Sequence, residues 1–290
     1  MKRLYLLMAT YALVNCTLAQ TDTTYNPKYN DTLRVGNILI IKKNKKARDG
    51  DSSIVMERNY SSKNSGKIST NWLVLDLGFS NYNDQTNYGT TGSYLVNKPG
   101  SPALGSSDFK LRTGKSVNVN IWLFMQRMSL VKNYVNLKYG LGVELNNYHY
   151  KSPLTYRENG TVPYSNGAVT NEAFVFRDSI SFSKNKLAAD YITVPLMLNF
   201  RTNPNSGKKG LSLSAGVSGG YLYGQRNKQE SNERGKDKNR GDFDMERFKL
   251  SYIGELGLGP VKLYGSYSPS SMYSRGLDIR PYTFGIRFSN

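Results

Sequence analysis

Cysteine and histidine are almost missing from this chain. It has one of each, Cys16 and His149, in 290 residues. A single cysteine excludes an intramolecular disulfide framework and a thiolate metal site. A single histidine excludes a multi-histidine zinc site within one chain. No metal and no cofactor are therefore expected. Long apolar runs are also scarce: 38% of residues are apolar and the mean hydropathy is −0.53. That excludes a bundle of membrane helices. Acidic residues are outnumbered, 21 against 39 basic ones, for a formal net charge of +18.

What is present begins with an export signal. Met1-Lys2-Arg3 is a positive n-region, Leu4 to Val14 an apolar h-region, and Thr17 and Ala19 put small residues at −3 and −1 before Gln20. A secretory signal peptide is expected over 1–19. Lipidation at Cys16 is disfavoured, because Asn15 stands where a small residue normally precedes a lipidated cysteine. Such basicity in a cytosolic protein would suggest nucleic acid, but export makes that partner unexpected. Lipopolysaccharide phosphates and other surface polyanions are the more natural counter-charges, and a solvated basic surface needs none.

Residues 20–70 are polar and read as a mostly flexible periplasmic N-terminal arm. Leu33 to Ile41 is the exception, a candidate short strand followed by the basic run Lys42 to Arg48. A strand-forming arm that docks on a periplasmic partner is the sharper alternative.

From 71 to 290 one pattern recurs. Leu73, Leu75, Leu77 and Phe79 alternate with Trp72, Val74, Asp76, Gly78 and Ser80. Val117 to Met125 alternate with Asn118 to Gln126, and Val135 to Leu145 with Asn136 to Asn146. Ile192 to Phe200 alternate with Tyr191 to Arg201, Leu211 to Tyr223 with Ser212 to Gly220, and Phe248 to Leu258 with Lys249 to Gly257. Val261, Leu263 and Tyr267 alternate with Lys262, Tyr264, Ser266 and Ser268. Last, Tyr282, Phe284, Ile286 and Phe288 alternate with Thr283, Gly285, Arg287 and Ser289. Eight period-2 segments, most near the roughly 9–11 residues that a tilted strand needs to cross lipid, predict strands; at helical period these sets would smear around the axis. The connections alternate strictly between short ones (around Lys132-Asn133, 202–210 and Gly259-Pro260) and long polar ones (81–113, 151–186, 227–245 and 269–279). Short periplasmic turns and longer external loops are the habit of outer-membrane barrels. With 22 Tyr for interfacial girdles, the expected fold is all-β: an eight-stranded antiparallel up-and-down transmembrane β-barrel with both termini periplasmic, in the outer membrane of a Gram-negative bacterium.

Pro195 cannot donate to a ladder, so a bulge is expected there. The segment Tyr191-Ile192-Thr193-Val194-Pro195-Leu196-Met197-Leu198-Asn199-Phe200 resembles the strand motif of the PorT-like outer-membrane β-barrel family, over about residues 70–290. That resemblance implies a link to secretion or envelope assembly. Thr283, Gly285 and Phe288 resemble the assembly signal read by the barrel-assembly machinery, with Asn290 standing where an aromatic is usual.

The inward set contains Asp76, Lys138, Glu144, Arg201, Lys249, Glu255, Lys262 and Arg287. Buried charges must be paired, so these are expected to form a lumen charge network, and an eight-stranded barrel is about filled by its side chains. A proton or small-ion path is the alternative. His149, near the external end of the third strand, is the best candidate for a lipid A acyl hydrolase or acyltransferase, but no spacing singles out a serine, and an interfacial histidine is the plainer reading. Gln225 to Arg240 reads as a solvated, mobile external loop. No catalytic role is assigned. The expectation is a structural or interaction protein of the envelope that contacts outer-membrane lipid and lipopolysaccharide, with a periplasmic or surface protein as a further partner.

Overall fold

The computed structural model describes residues 32–35, 38–41, 68–203, 210–258 and 261–289. The expected signal peptide, Cys16 and the run Lys42 to Arg48 lie outside the described residues. The chain divides into two units, Met1–Asn64 and Ser65–Asn290. In the first, the single strand expected over Leu33 to Ile41 is a pair, Thr32–Val35 and Ile38–Ile41, joined antiparallel.

The second unit is built on eight strands: β1 Ile68–Asp84, β2 Val117–Val131, β3 Val135–His149, β4 Lys184–Arg201, β5 Leu211–Ser231, β6 Phe248–Leu258, β7 Val261–Tyr267 and β8 Ile279–Phe288. Each pairs antiparallel with its predecessor and its successor, and β8 pairs with β1. The result is a closed ring in chain order, which leaves no strand edge among the eight.

The ring inverts the usual distribution of polarity. On β4, Ile192, Val194, Leu196, Leu198 and Phe200 are exposed, while Thr193, Pro195, Met197 and Asn199 are buried. The same holds around the ring: Leu211, Leu213, Leu250, Leu263, Phe284 and Ile286 point out, and Asp76, Asn118, Glu144, Ser214 and Glu255 point in. Because side chains alternate along a strand, one register choice sets the face of each residue up to the next bulge.

Two expectations about faces are corrected. Trp72 and Leu73 are both strongly exposed, and Met125 is buried although Leu123 is exposed. Leu73 adopts a positive φ of 52°, and the β2–β3 register shifts between Trp122 and Phe124. A bulge adds a residue and reverses the pleat beyond it, so Met125 points inward and Trp72 outward. No register shift occurs at Pro195. Thr193 and Leu196 keep one offset against Gly142 and Tyr139, and the β3 ladder skips Val194 and Pro195 between them. The β4–β5 register shifts instead between Asp190 and Tyr191, where Tyr223 is the extra residue on β5.

Short and long connections fall at opposite ends of the ring, since neighbours alternate in direction. The long ones are not simple loops. Leu95–Val96, Phe174–Arg177 and Leu154–Arg157 form a three-stranded sheet. The mobile loop expected over Gln225 to Arg240 is a β-hairpin: β5 runs on to Ser231 and pairs with Gly235–Arg240. These segments enclose an apolar core of Tyr94, Phe109, Tyr150, Tyr156, Phe243 and Tyr273, all buried.

Candidate functional site

The ring interior is the first candidate. Asp76 on β1 faces Arg287 on β8 directly across the seam. Arg287 Nε donates to Asp76 Oδ1 and Nη2 to Oδ2, each at 2.7 Å. Asp76 Oδ2 also accepts from Trp122 Nε1 at 2.7 Å and Asn120 Nδ2 at 3.1 Å. Arg287 Nη1 reaches Glu255 on β6, and both Glu255 oxygens accept from Lys138 Nζ at 2.7 Å, across the ring from β3. A second cluster lies further along: Lys249 Nζ donates to Glu144 Oε1 at 2.5 Å and stands 4.3 Å from the centre of the Tyr191 ring. Amides join the two. Asn118 Nδ2 donates to Asn120 and to Asn146 at 2.9 Å, and Asn146 Nδ2 to Glu144 at 2.9 Å. Three carboxylates thus meet three cations in one connected network.

Of the eight charges expected in the lumen, Asp76, Lys138, Glu144, Lys249, Glu255 and Arg287 come together. Lys262 is the neighbour of Arg287 on β7 and donates to Ser289 Oγ. Arg201 lies at the end of β4, where its backbone N–H donates to Tyr134 O at 2.8 Å. Of the residues singled out on β8, Thr283 is buried and shares a hydrogen bond with Ser266 at 2.7 Å. Phe288 is exposed. Gly285 faces Gly78, and a Cβ there would stand 2.3 Å from Leu77 O. Beside Trp122, Glu144, Thr193 and Arg287 this network leaves a cavity of about 30 Å³, room for no more than a water or two.

The far end of the ring is the second candidate. His149 shares the outward face of β3 with Val143 and Leu145, four residues beyond the last apolar one. It lines a pocket of about 220 Å³ with Arg112, Lys115, Ser183, Lys184 and Asn185. Burial, then Lys186, Lys184, Lys115 and Arg112, push its pKa down to about 4. The imidazole is therefore neutral near pH 7. Among the described residues no carboxylate lies within ion-pair distance of it, nor do any group as a metal site. Inside the outer core, the Tyr150 and Tyr156 hydroxyls share a hydrogen bond at 2.7 Å, Tyr273 OH donates to Tyr156 OH at 3.1 Å, and Tyr94 OH to Phe243 O at 2.7 Å. Burial raises all four tyrosine pKa values well above the ordinary 10. This core was not foreseen. Its residues are spread over four connections, and no local period marks them.

No described helix is long and apolar enough to cross a membrane. A closed ring with an apolar wall and a charged interior is instead the build of a protein that crosses with strands. Residues 59–277 match the family model for the outer membrane protein beta-barrel domain, and the chain belongs to that family. No curated protein matches the chain significantly.

Proposed function

We propose that this protein is a closed, non-enzymatic barrel of the outer membrane of a Gram-negative bacterium, with a structural or interaction role in the envelope. The observation that carries this reading is the lumen: three carboxylates and three cations pair across the ring, and the cavity beside Trp122, Glu144, Thr193 and Arg287 measures only about 30 Å³. An ion path needs sites that an ion can enter and leave, and these charges are each committed to a partner. The folded outer connections offer a shaped surface to another molecule, and the short-turn end, with both termini, faces the periplasm. The PorT-like resemblance of Tyr191 to Phe200 supports a part in secretion or envelope assembly, and the barrel-assembly machinery is the partner that inserts the chain. An acyl hydrolase is the weaker reading, since cations rather than a carboxylate surround His149.

The test is reconstitution in planar bilayers, paired with mass spectrometry of lipid A from wild-type, His149→Ala and deletion strains. The expected result is no steady conductance and one lipid A profile in all three. Conductance at low protein load would replace the closed reading with a channel. A lipid A species lost in both mutants would replace it with an enzyme.

A further inference from the structure

Beyond the apolar wall, the outward faces of four neighbouring strands carry basic residues in register. His149 on β3 is the direct partner of Lys186 on β4, Lys186 of Lys228 on β5, and Lys228 of Lys238 on the strand Gly235–Arg240. Two residues nearer the wall, Arg226 faces Arg240. His149 is neutral near pH 7, but the like charges of Lys186, Lys228 and Lys238, placed directly opposite one another, repel and destabilise the sheet. A surface that had only to stay soluble would alternate signs instead.

The counter-charge within the protein is thin. Arg226 pairs with Asp190, and in the row above Lys236 stands 3.9 Å from Glu230. Among the described residues, no carboxylate lies within ion-pair distance of Lys186, Lys228, Lys238 or Arg240. Lys186 Nζ donates to Asn147 Oδ1 at 2.5 Å, a neutral partner. The pocket of about 220 Å³ opens at the β3–β4 end of the row and adds Arg112, Lys115 and Lys184 to its walls.

Height tells what surrounds this stripe. A strand tilted by about 40° climbs roughly 2.5 Å per residue along the membrane normal. His149 is four residues past Leu145, and Lys228 five past the exposed Tyr223. The stripe therefore stands roughly 10–12 Å above the last apolar residues. The headgroup layer occupies roughly 5–8 Å on each side of the hydrocarbon, so the arginine row lies near its outer edge and the lysine row just beyond, from where the long lysine side chains can reach back to the headgroups.

We infer that this outer-wall stripe, from His149 through Lys186 and Lys228 to Lys238, binds the phosphate groups of an anionic glycolipid in the surrounding leaflet. The inference rests on the proposed membrane placement and adds the ligand class and its site. Phosphate oxygens supply the charge that the sheet lacks, and the register that costs stability in the bare protein becomes favourable once they are bound. A lysine recognises phosphate as a point charge, which suits a mobile headgroup.

The test compares the full-length wild type with Lys186→Gln/Lys228→Gln/Lys238→Gln in zwitterionic detergent. The probes are diphosphoryl lipid A, dephosphorylated lipid A and inorganic phosphate. A gel shift on boiling first shows that each protein is folded. A wild type with no such shift contradicts the membrane placement itself, a failure separate from loss of lipid binding. Wild type should prefer the diphosphoryl lipid, and the triple variant should bind it about a hundredfold more weakly at low salt. The variant should also unfold no lower than wild type without lipid, because repulsion has been removed. Equal lipid affinity in the two proteins overturns the inference. So does inorganic phosphate binding as tightly as the lipid, which would make a free anion the ligand. If the triple variant does not fold, Lys228→Gln/Lys238→Gln is read on the same scale, and unchanged affinity there overturns it equally.

Discussion

Asp76 and Arg287 are bonded in parallel, Nε to Oδ1 and Nη2 to Oδ2, although 211 positions separate them in the chain. They are cross-strand neighbours on β1 and β8, so this pair fastens the first ring strand to the last. Their burial makes the fastening unforgiving. Removing one member strands the other in a dry interior, where an uncompensated charge costs about 3–5 kcal/mol. Arg287→Met should therefore destabilise the ring by about that amount, more than Lys249→Met, because Arg287 serves two carboxylates, Asp76 and Glu255, and Lys249 serves Glu144 alone. Urea unfolding in detergent, followed by tryptophan fluorescence, measures the difference. Equal midpoints for wild type and Arg287→Met would show that the seam pair carries no weight.

Glycines close the same seam sterically. Gly78 and Gly285 face each other, and a Cβ at Gly78 would stand 2.2 Å from Phe284 O and 2.6 Å from the Tyr264 hydroxyl. That hydroxyl donates to Asn118 at 2.5 Å. Gly78→Val should push Tyr264 off Asn118 and lower the yield of folded protein, whereas Gly254→Ala, with only Ser214 O at 3.9 Å, should fold normally. Similar refolding yields for the two would contradict this.

The sequence made the ring legible because its signal is local. Leu137, Tyr139 and Leu141 alternating with Lys138, Gly140 and Gly142 state which face meets lipid, and Asp76, Glu255 and Arg287 fall on the other face by the same count. Partners were not legible. Nothing local says that Lys138 meets Glu255 across the ring. Leu73 and Leu123 look like ordinary members of their alternating sets, and only the ladder exposes the pleat reversal beside them. Pro195 advertises a bulge, yet the ladder accommodates it by leaving two residues unpaired. The outer connections were misread for a related reason: their Tyr94, Tyr156, Phe243 and Tyr273 are scattered among polar residues, and only tertiary packing collects them.

That packing makes a prediction about protease resistance. Tyr156 contacts Tyr150, Phe243 and Tyr273. Truncating a buried aromatic costs about 3–5 kcal/mol. Intact cells should resist trypsin at Arg226 to Arg240 in the wild type, and Tyr156→Ala should expose these sites while the boiled and unboiled bands stay distinct. Rapid cleavage of the wild type would show that the outer core does not hold the hairpin.

His149 gives a pH dependence of known sign. Its pKa is lowered from 6.5 in the unfolded chain to about 4 in the folded protein. The unfolded chain therefore takes up the proton first as pH falls. The stability tied to neutral His149 is complete above about pH 6.5, is lost progressively down to about pH 4, and changes no further below. Unfolding midpoints at pH 7.5 and 4.5 should differ more for wild type than for His149→Gln. Because the chain has one histidine, its ring resonance can be followed without assignment, and a midpoint near 6.5 in the folded protein would contradict the cationic setting.

Heat-modifiability of the protein in isolated outer membrane tests the central claim most directly, because folded barrels resist SDS until boiled. An outward apolar wall and a charge-paired lumen predict a single protein that fractionates with the outer membrane and migrates differently before and after boiling. One unchanged band, from protein recovered soluble in the periplasm, would contradict the account of a ring built to stand in lipid.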